Sequence, residues 1–120
     1  MNAEQAIQSF WGSFGIAAYD ETTVPDDAKT PYITYEMSKD FFDQPRQVSA
    51  AIWYRSPSWK EITEKEKEIA DKIGRGGIII SSTDGPIWIQ RGTPWAHRLS
   101  DNSDRMIRRI ALTLIVEFLI

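Results

Sequence analysis

Arg105-Met106-Ile107-Arg108-Arg109-Ile110-Ala111-Leu112-Thr113-Leu114-Ile115-Val116-Glu117-Phe118-Leu119-Ile120 is the stretch whose reading decides the fold. Two periodicities fit it. Ile107, Ile110, Ala111, Leu114, Ile115 and Phe118 would form one stripe of a helix. Ile110, Leu112, Leu114, Val116, Phe118 and Ile120 also alternate with Ala111, Thr113, Ile115, Glu117 and Leu119, as in a strand. Four Ile, one Val and one Thr decide between them. Side chains branched at Cβ lose rotamer freedom in a helix and pack well on a pleated surface, so the segment is predicted to be a long strand.

Working outward, Ile78–Ser82 and Ile87–Arg91 read as the arms of a hairpin turned by Thr83-Asp84-Gly85-Pro86, with its Asp-Gly signal. Gly92–Asp104 has no periodicity and contains Pro94, Trp95, His97, Arg98 and the polar run Ser100–Asp104. It is predicted to be a long loop, a type that in compact domains is functional or disordered. Ser58-Trp59-Lys60-Glu61 has the form of a capping box, and Pro57 stops the preceding strand. A helix follows, with Ile62, Ile69, Ile73 and Ala70 on its buried side, a Glu61–Lys65 pair on its wet side and Gly74 at its end.

Gln47–Tyr54 carries Val48, Ala50, Ile52 and Tyr54 on one face of a strand. Tyr32–Met37 alternates likewise, and Ile16–Tyr19 makes a third short strand. Ser38–Pro45 and the Pro- and Asp-rich Asp20–Thr30 interrupt them. At the start, Ile7, Phe10, Trp11 and Phe14 form a helical stripe, capped by Asn2 with Gln5 three residues on and stopped by Gly15. The predicted order is α-β-β-β-α-β-β-β. It implies an α+β fold, one domain over residues 1–120, with a single mixed, mainly antiparallel sheet flanked by two helices.

The 120 residues include 14 Lys plus Arg and 17 Asp plus Glu, a net charge of −3, with 42% apolar residues, one His and no Cys. The apolar content suits a globular chain of one core. Without Cys there are no disulfides, thiolate zinc sites or Cys nucleophiles. The acidic balance argues against a dedicated nucleic-acid binder, which needs a basic face. No apolar run reaches the ~20 residues of a membrane-spanning helix, and Met-Asn-Ala-Glu-Gln has no signal-peptide character, so synthesis in the cytoplasm is the expectation.

Chemical motifs are sparse. His97 is the single imidazole, so a His-pair metal site is excluded and a catalytic triad has one candidate base, with no carboxylate at a useful spacing. Asp101-Asn102-Ser103-Asp104-Arg105 fails as a calcium loop, because Arg105 and Met106 stand where a ligand and then Gly are needed. Gly74-Arg75-Gly76-Gly77 follows a helix and precedes a strand, the reverse of a phosphate cradle, and reads as a helix cap whose Arg75 is free for a partner's acid. Arg105, Arg108 and Arg109 form the basic cluster and suit an ion-pairing rim. No cofactor, metal or catalytic pair is expected.

The aromatic excess is the informative feature. Phe41-Phe42 lies between strands, Trp95 in the predicted loop, Trp53 and Trp88 out of phase with their strands' other large residues, and Leu119-Ile120 at the end of the chain. Aromatic groups facing outward mark protein contacts.

Three stretches carry a resemblance. Phe14-Gly15-Ile16-Ala17-Ala18-Tyr19-Asp20-Glu21 runs through Thr23-Val24-Pro25-Asp26-Asp27-Ala28 to Pro31-Tyr32-Ile33-Thr34-Tyr35-Glu36. Ile52-Trp53-Tyr54-Arg55-Ser56 leads through Ser58-Trp59 to Ile73-Gly74-Arg75-Gly76-Gly77. Ile87-Trp88-Ile89-Gln90-Arg91-Gly92-Thr93-Pro94 precedes Arg108-Arg109-Ile110 and Glu117-Phe118-Leu119. Together they resemble the small tail-completion proteins of long-tailed bacteriophages and prophages, a family of tail-terminator and minor capsid proteins. The resemblance implies a tail-terminator-like fold and a virion structural role without catalysis. It implies a homo-oligomeric ring, a hexamer, that caps the tail tube and joins it to the head–tail connector or stopper protein, with DNA only passing through the channel and no membrane. Candidate interface residues are Phe41, Phe42, Arg46, Arg75, Trp95, His97, Arg98, Leu119 and Ile120. The competing readings are a head–tail connector or stopper protein and, in a different class, a small-ligand or peptide-binding domain.

Overall fold

The computed structural model describes residues 1–37 and 44–119. Phe41, Phe42 and Ile120 lie outside the described residues. The elements are α1 (Ala3–Gly12), β1 (Ala17–Asp20), β2 (Tyr32–Tyr35), β3 (Arg46–Arg55), α2 (Lys60–Ile73), β4 (Ile78–Ile80), β5 (Ile87–Ser100) and β6 (Ile107–Phe118). The strands form one mixed sheet in the order β1-β2-β3-β6-β5-β4, parallel between β1 and β2 and antiparallel elsewhere.

The decisive stretch is a strand. β6 lies inside the sheet, paired along its length with β3 from Ile107↔Arg55 to Val116↔Arg46 and on its other side with β5. Ile110, Leu112, Leu114, Val116 and Phe118 are buried, while Ala111, Thr113, Ile115 and Glu117 between them are half-buried. A helix over the same residues would turn half of these groups away from the core. Tertiary pairing satisfies the backbone and both faces at once.

Both helices pack on the same side of the sheet. Trp11 stacks on Tyr35 at 6.3 Å, and Tyr35 lies in register with Ala50, beside Leu112. Ile62, Ile69 and Ile73 of α2 join the same core as Ile7 and Phe10 of α1. The helices are tied together where Lys65 Nζ donates to the Phe14 carbonyl at 2.6 Å and Lys72 Nζ lies 5.0 Å from the Phe14 ring centroid. Each fully buried Ile in this layer is worth about 1.5–3 kcal/mol against exposure, and Ile33, Ile52, Ile62, Ile69, Ile73 and Ile87 are all in that state.

The Asn2–Gln5 capping box of α1 forms. A long-range cap supplements it, because Asp84 Oδ2 in the β4–β5 connection accepts from the Ala3 amide at 2.9 Å. The Ser58–Glu61 box does not form. The N-cap of α2 is Trp59, without a side-chain cap, and the Ser58 hydroxyl accepts from Lys60 two residues on, at 3.2 Å. Trp59 is held in place by two guanidinium groups, which fixes the helix start one residue later than the box requires. Lys65 likewise turns to Glu68 and not to Glu61.

The largest correction concerns Gly92–Asp104, predicted to be a loop. Most of it is strand, since β5 runs to Ser100. Gly92, Thr93, Pro94 and Trp95 bulge opposite the single Thr113, between the pairs Arg91↔Leu114 and Ala96↔Leu112. Gly92 permits the close approach, because a Cβ there would meet Thr113 Cγ2 at 2.7 Å. Gly and Pro broke the local pattern, but β6 offers a template that picks pairing up again beyond the bulge. The connection to β6 is self-bonded: Asp101 Oδ1 accepts from the Ser103 amide at 2.8 Å and from its hydroxyl at 2.6 Å. Asp104 takes the Met106 amide and pairs with Arg55.

Candidate protein interface

Because α1 and α2 share one side, the other face of the sheet has no helix over it among the described residues. Strand alternation decides what it displays. One row crosses five strands in register: Ala17, Tyr32, Trp53, Arg109 and Leu99. The next row runs Tyr19, Thr34, Ala51, Ala111 and His97. Towards the opposite corner, Glu117 stands beside Trp88 and Trp88 beside Ile79, which is 59% exposed.

The aromatics of this face are fixed in place. Trp53 lies between Tyr32, with ring centroids 6.0 Å apart and planes at 26°, and the Arg109 guanidinium, 4.8 Å from its centroid. Tyr19 meets Tyr32 edge-on at 5.8 Å. The Trp53 indole donates to Thr34 Oγ1 at 3.0 Å, and the Trp88 indole to the Gly76 carbonyl at 2.9 Å. Both indoles keep a half-open ring surface while their polar atom is already bonded. Such pre-set aromatic and Arg groups lose little conformational freedom on binding, which is what an interface anchor requires.

On the helix side, the β5 margin carries a second cluster. Arg98 and Arg108 place their guanidinium carbons 4.7 Å and 5.1 Å from the Trp59 ring centroid. Arg108 also donates to the carbonyls of Ser56, at 3.0 Å, and Pro57, at 2.9 Å. Trp95 of the bulge donates its indole N–H to Glu66 of α2. A cleft of about 370 Å³ lies here, lined by Thr63, Glu66, Trp95, Ala96, His97, Arg98 and Ile110.

The predicted contact residues are therefore divided. His97 is exposed on the open face opposite Ala111, whereas its neighbour Arg98 lies on the helix side, opposite Ile110. Arg46 is exposed at the start of β3 and Arg75 in the turn after α2. Leu119 is half-buried, its amide donating to the Pro86 carbonyl at 2.8 Å. Of the described candidates, Trp95, His97 and Arg98 border the same cleft at the β5 margin, Trp95 and Arg98 from the helix side and His97 from the strand position facing the other way. Sequence reading missed the Tyr19–Tyr32–Trp53–Arg109 ladder. The out-of-phase Trp53 was its only signal, because register across strands brings the other members to it.

Among the described residues, no group of three or more His, Asp or Glu is placed to hold a metal ion. Glu21 is held above the ordinary carboxyl range by partial desolvation and then by the negative charges of Glu36 and Asp20. Tyr35 is raised by burial and by Asp20 and Glu4, Tyr54 by burial and by the acids of α2. Asp101 is lowered by its Ser103 hydrogen bonds, and Asp104 by the Met106 amide and Arg55. A broad cleft of about 650 Å³ between α1 and β1–β2 includes Glu4, Gln8, Asp20 and Tyr35, where the Tyr35 hydroxyl donates to Gln8. Among the described residues, no buried side-chain polar atom is left without a partner. No helix is long and apolar enough to cross a membrane. No family model matches the chain, and no curated protein matches it significantly.

Proposed function

We propose that this chain is a virion structural protein of a long-tailed phage or prophage: a tail-completion subunit with a tail-terminator-like fold. It assembles into a ring, a hexamer, that caps the tail tube and meets the head connector. Its place is the head–tail interface of the virion, and DNA only passes through its channel.

The observation that carries this reading is the one-sided sheet. A small domain that leaves Tyr19, Tyr32, Trp53, Trp88 and Ile79 on a face with no covering layer among the described residues is suited to being covered by another protein. The rings are locked by Arg109, Thr34 and the Gly76 carbonyl, so the face is rigid rather than adaptable. The sequence resemblance supplies the kind of assembly. The aromatics are spread across several strands of one face, and the recess that Trp53 and Arg109 line with Ser100, Asp101, Asn102 and Ile107 is only about 160 Å³, below the usual size of a small-ligand site, which supports a macromolecular partner.

The experiment is direct. Purified protein is measured by light scattering at several concentrations, then incubated with purified tail tubes and with head particles and imaged by electron microscopy. Rings at the tube end are expected. Binding only to heads would favour the connector or stopper reading, and binding to neither would overturn both.

A further inference from the structure

The two margins of the sheet carry opposite charge. At the β1 margin, Asp20, Glu21, Asp26 and Asp27 lie in or next to the β1–β2 connection, with Glu36 just beyond β2. Lys29 is the one cation in that connection, so acids outnumber bases there by four to one. At the far margin, Arg75 lies in the turn leading into β4, and Arg91 on β5 just past the end of β4. The two are neighbours, because the antiparallel register Ile78↔Ile89 carried back two residues sets Gly76 across from Arg91, and the Trp88 indole donates to the Gly76 carbonyl at 2.9 Å. Arg75, Arg91, Asp26 and Asp27 are all exposed. None of these four side chains has a hydrogen bond or ion pair among the described residues.

The backbone is also asymmetric. The carbonyls of Ala18 and Asp20 in β1 are taken, by the Gln8 amide at 3.1 Å and the Thr23 amide at 3.0 Å, so strand addition at this edge is blocked. β4 pairs only with Ile87, Trp88 and Ile89, leaving β5 from Gln90 onward without a strand on its outer side among the described residues. One margin is therefore closed and acidic, the other open and basic.

We infer that successive copies of this chain meet head to tail, with the acidic β1–β2 connection of one subunit docked against the Arg75–Arg91 margin of the next. This rests on the ring reading above and identifies its subunit contact. Two different complementary patches on opposite sides of one subunit make a heterologous contact, which closes into a ring when the rotation permits. Charge complementarity also sets the direction of travel around the ring, since acid against acid and base against base both repel.

The test uses two double variants, Asp26→Lys/Asp27→Lys and Arg75→Glu/Arg91→Glu. Each alone makes its two margins alike, so ring assembly is expected to need about tenfold more protein, or to be lost. Mixed one to one, the variants restore opposite charges at every contact of an alternating ring, and assembly is expected to return. Light scattering reads both, and electron microscopy reads them on tail tubes. Circular dichroism shows whether each variant folds. Should one not fold, Asp26→Asn/Asp27→Asn and a salt titration of the unmodified protein carry the test, with weaker assembly expected in each. Folded variants that assemble alone like the parent, or whose mixture stays unassembled, overturn the contact while leaving the ring reading intact. An unmodified protein that forms no ring, even on tubes, overturns both.

Discussion

Gly77→Ala is expected to unfold the β4 corner, and the size of the loss follows from the structure. Gly77 has φ +83°, a left-handed conformation that costs an L-residue about 1 kcal/mol. The added Cβ would lie 2.6 Å from the Ile89 carbonyl oxygen, 2.6 Å from Trp88 Nε1 and 2.8 Å from Gln90 Cγ. Gln90 can swing aside. Trp88 can do so only by losing its bond to the Gly76 carbonyl, worth about 1 kcal/mol. The Ile89 carbonyl is part of the β5 backbone, so β4 must shift instead, at the roughly 1–3 kcal/mol typical of overpacking. The sum is about 3–5 kcal/mol, a large fraction of the stability of a domain this size. Gly76→Ala is the internal control, because nothing lies within 4 Å of its Cβ position and its φ lies outside the left-handed range. Urea denaturation of both variants, compared by midpoint and slope, decides the matter. A Gly77→Ala loss below about 1 kcal/mol, or one equal to that of Gly76→Ala, would refute the close-approach argument.

Asp84→Ala removes the long-range cap from the Ala3 amide and is expected to cost about 1 kcal/mol, read by thermal melting. Asp84→Asn keeps an acceptor and should recover most of it. Trp11→Ala and Trp53→Ala are expected to separate stability from assembly. Trp11 is 4% exposed in the core, so its loss should cost about 3–5 kcal/mol. Trp53→Ala should melt much closer to the parent yet lose binding to copies or tubes, and an unchanged assembly would remove Trp53 from the interface. Asp101 and Asp104 titrate below their unfolded range, so acid lets the unfolded chain bind more protons than the native one. Their stabilisation is complete above the ordinary aspartate value near 4 and fades as pH falls through the lowered native values. Asp101→Asn should flatten the melting-temperature profile in that acid window, and a slope identical to the parent's would contradict the assignment.

The fold was largely legible because its strongest signals are local. The stripe Ile7–Phe10–Trp11–Phe14, the alternation of Val48–Tyr54 and the Cβ-branched run of β6 each state their partner surface without knowledge of distant residues. The failures share one cause. Gly92 and Pro94 break the local pattern of β5, and only β6, which follows it in the chain, shows that pairing resumes at Ala96. The Ser58 box was sound locally, but Trp59 is held by Arg98 and Arg108, which lie far along the chain. The interface was half legible for the same reason. Trp53 was visibly out of phase, yet its neighbours Tyr32 and Arg109 come from other strands and are set by register.

Arg108 and Arg109 show how much register adds. Adjacent in sequence and read together as one basic cluster, they leave β6 on opposite faces. Arg108 is spent inside the subunit, on Trp59 and two carbonyls, and fixes where α2 begins. Arg109 lies against Trp53 on the open face and, with Tyr32 on the strand to the other side, brackets that ring. The cluster is thus two separate devices, one for the fold and one for the surface. Neither forms the continuous basic stripe that would grip nucleic acid. Exposed cations are instead scattered, among them Arg75 and Arg91 at the β4–β5 margin, Lys29 in the β1–β2 connection, Lys60 and Lys67 on α2 and Arg105 before β6. In the proposed ring, such a dispersed set of cations would offer a passing DNA strand no continuous stripe to bind.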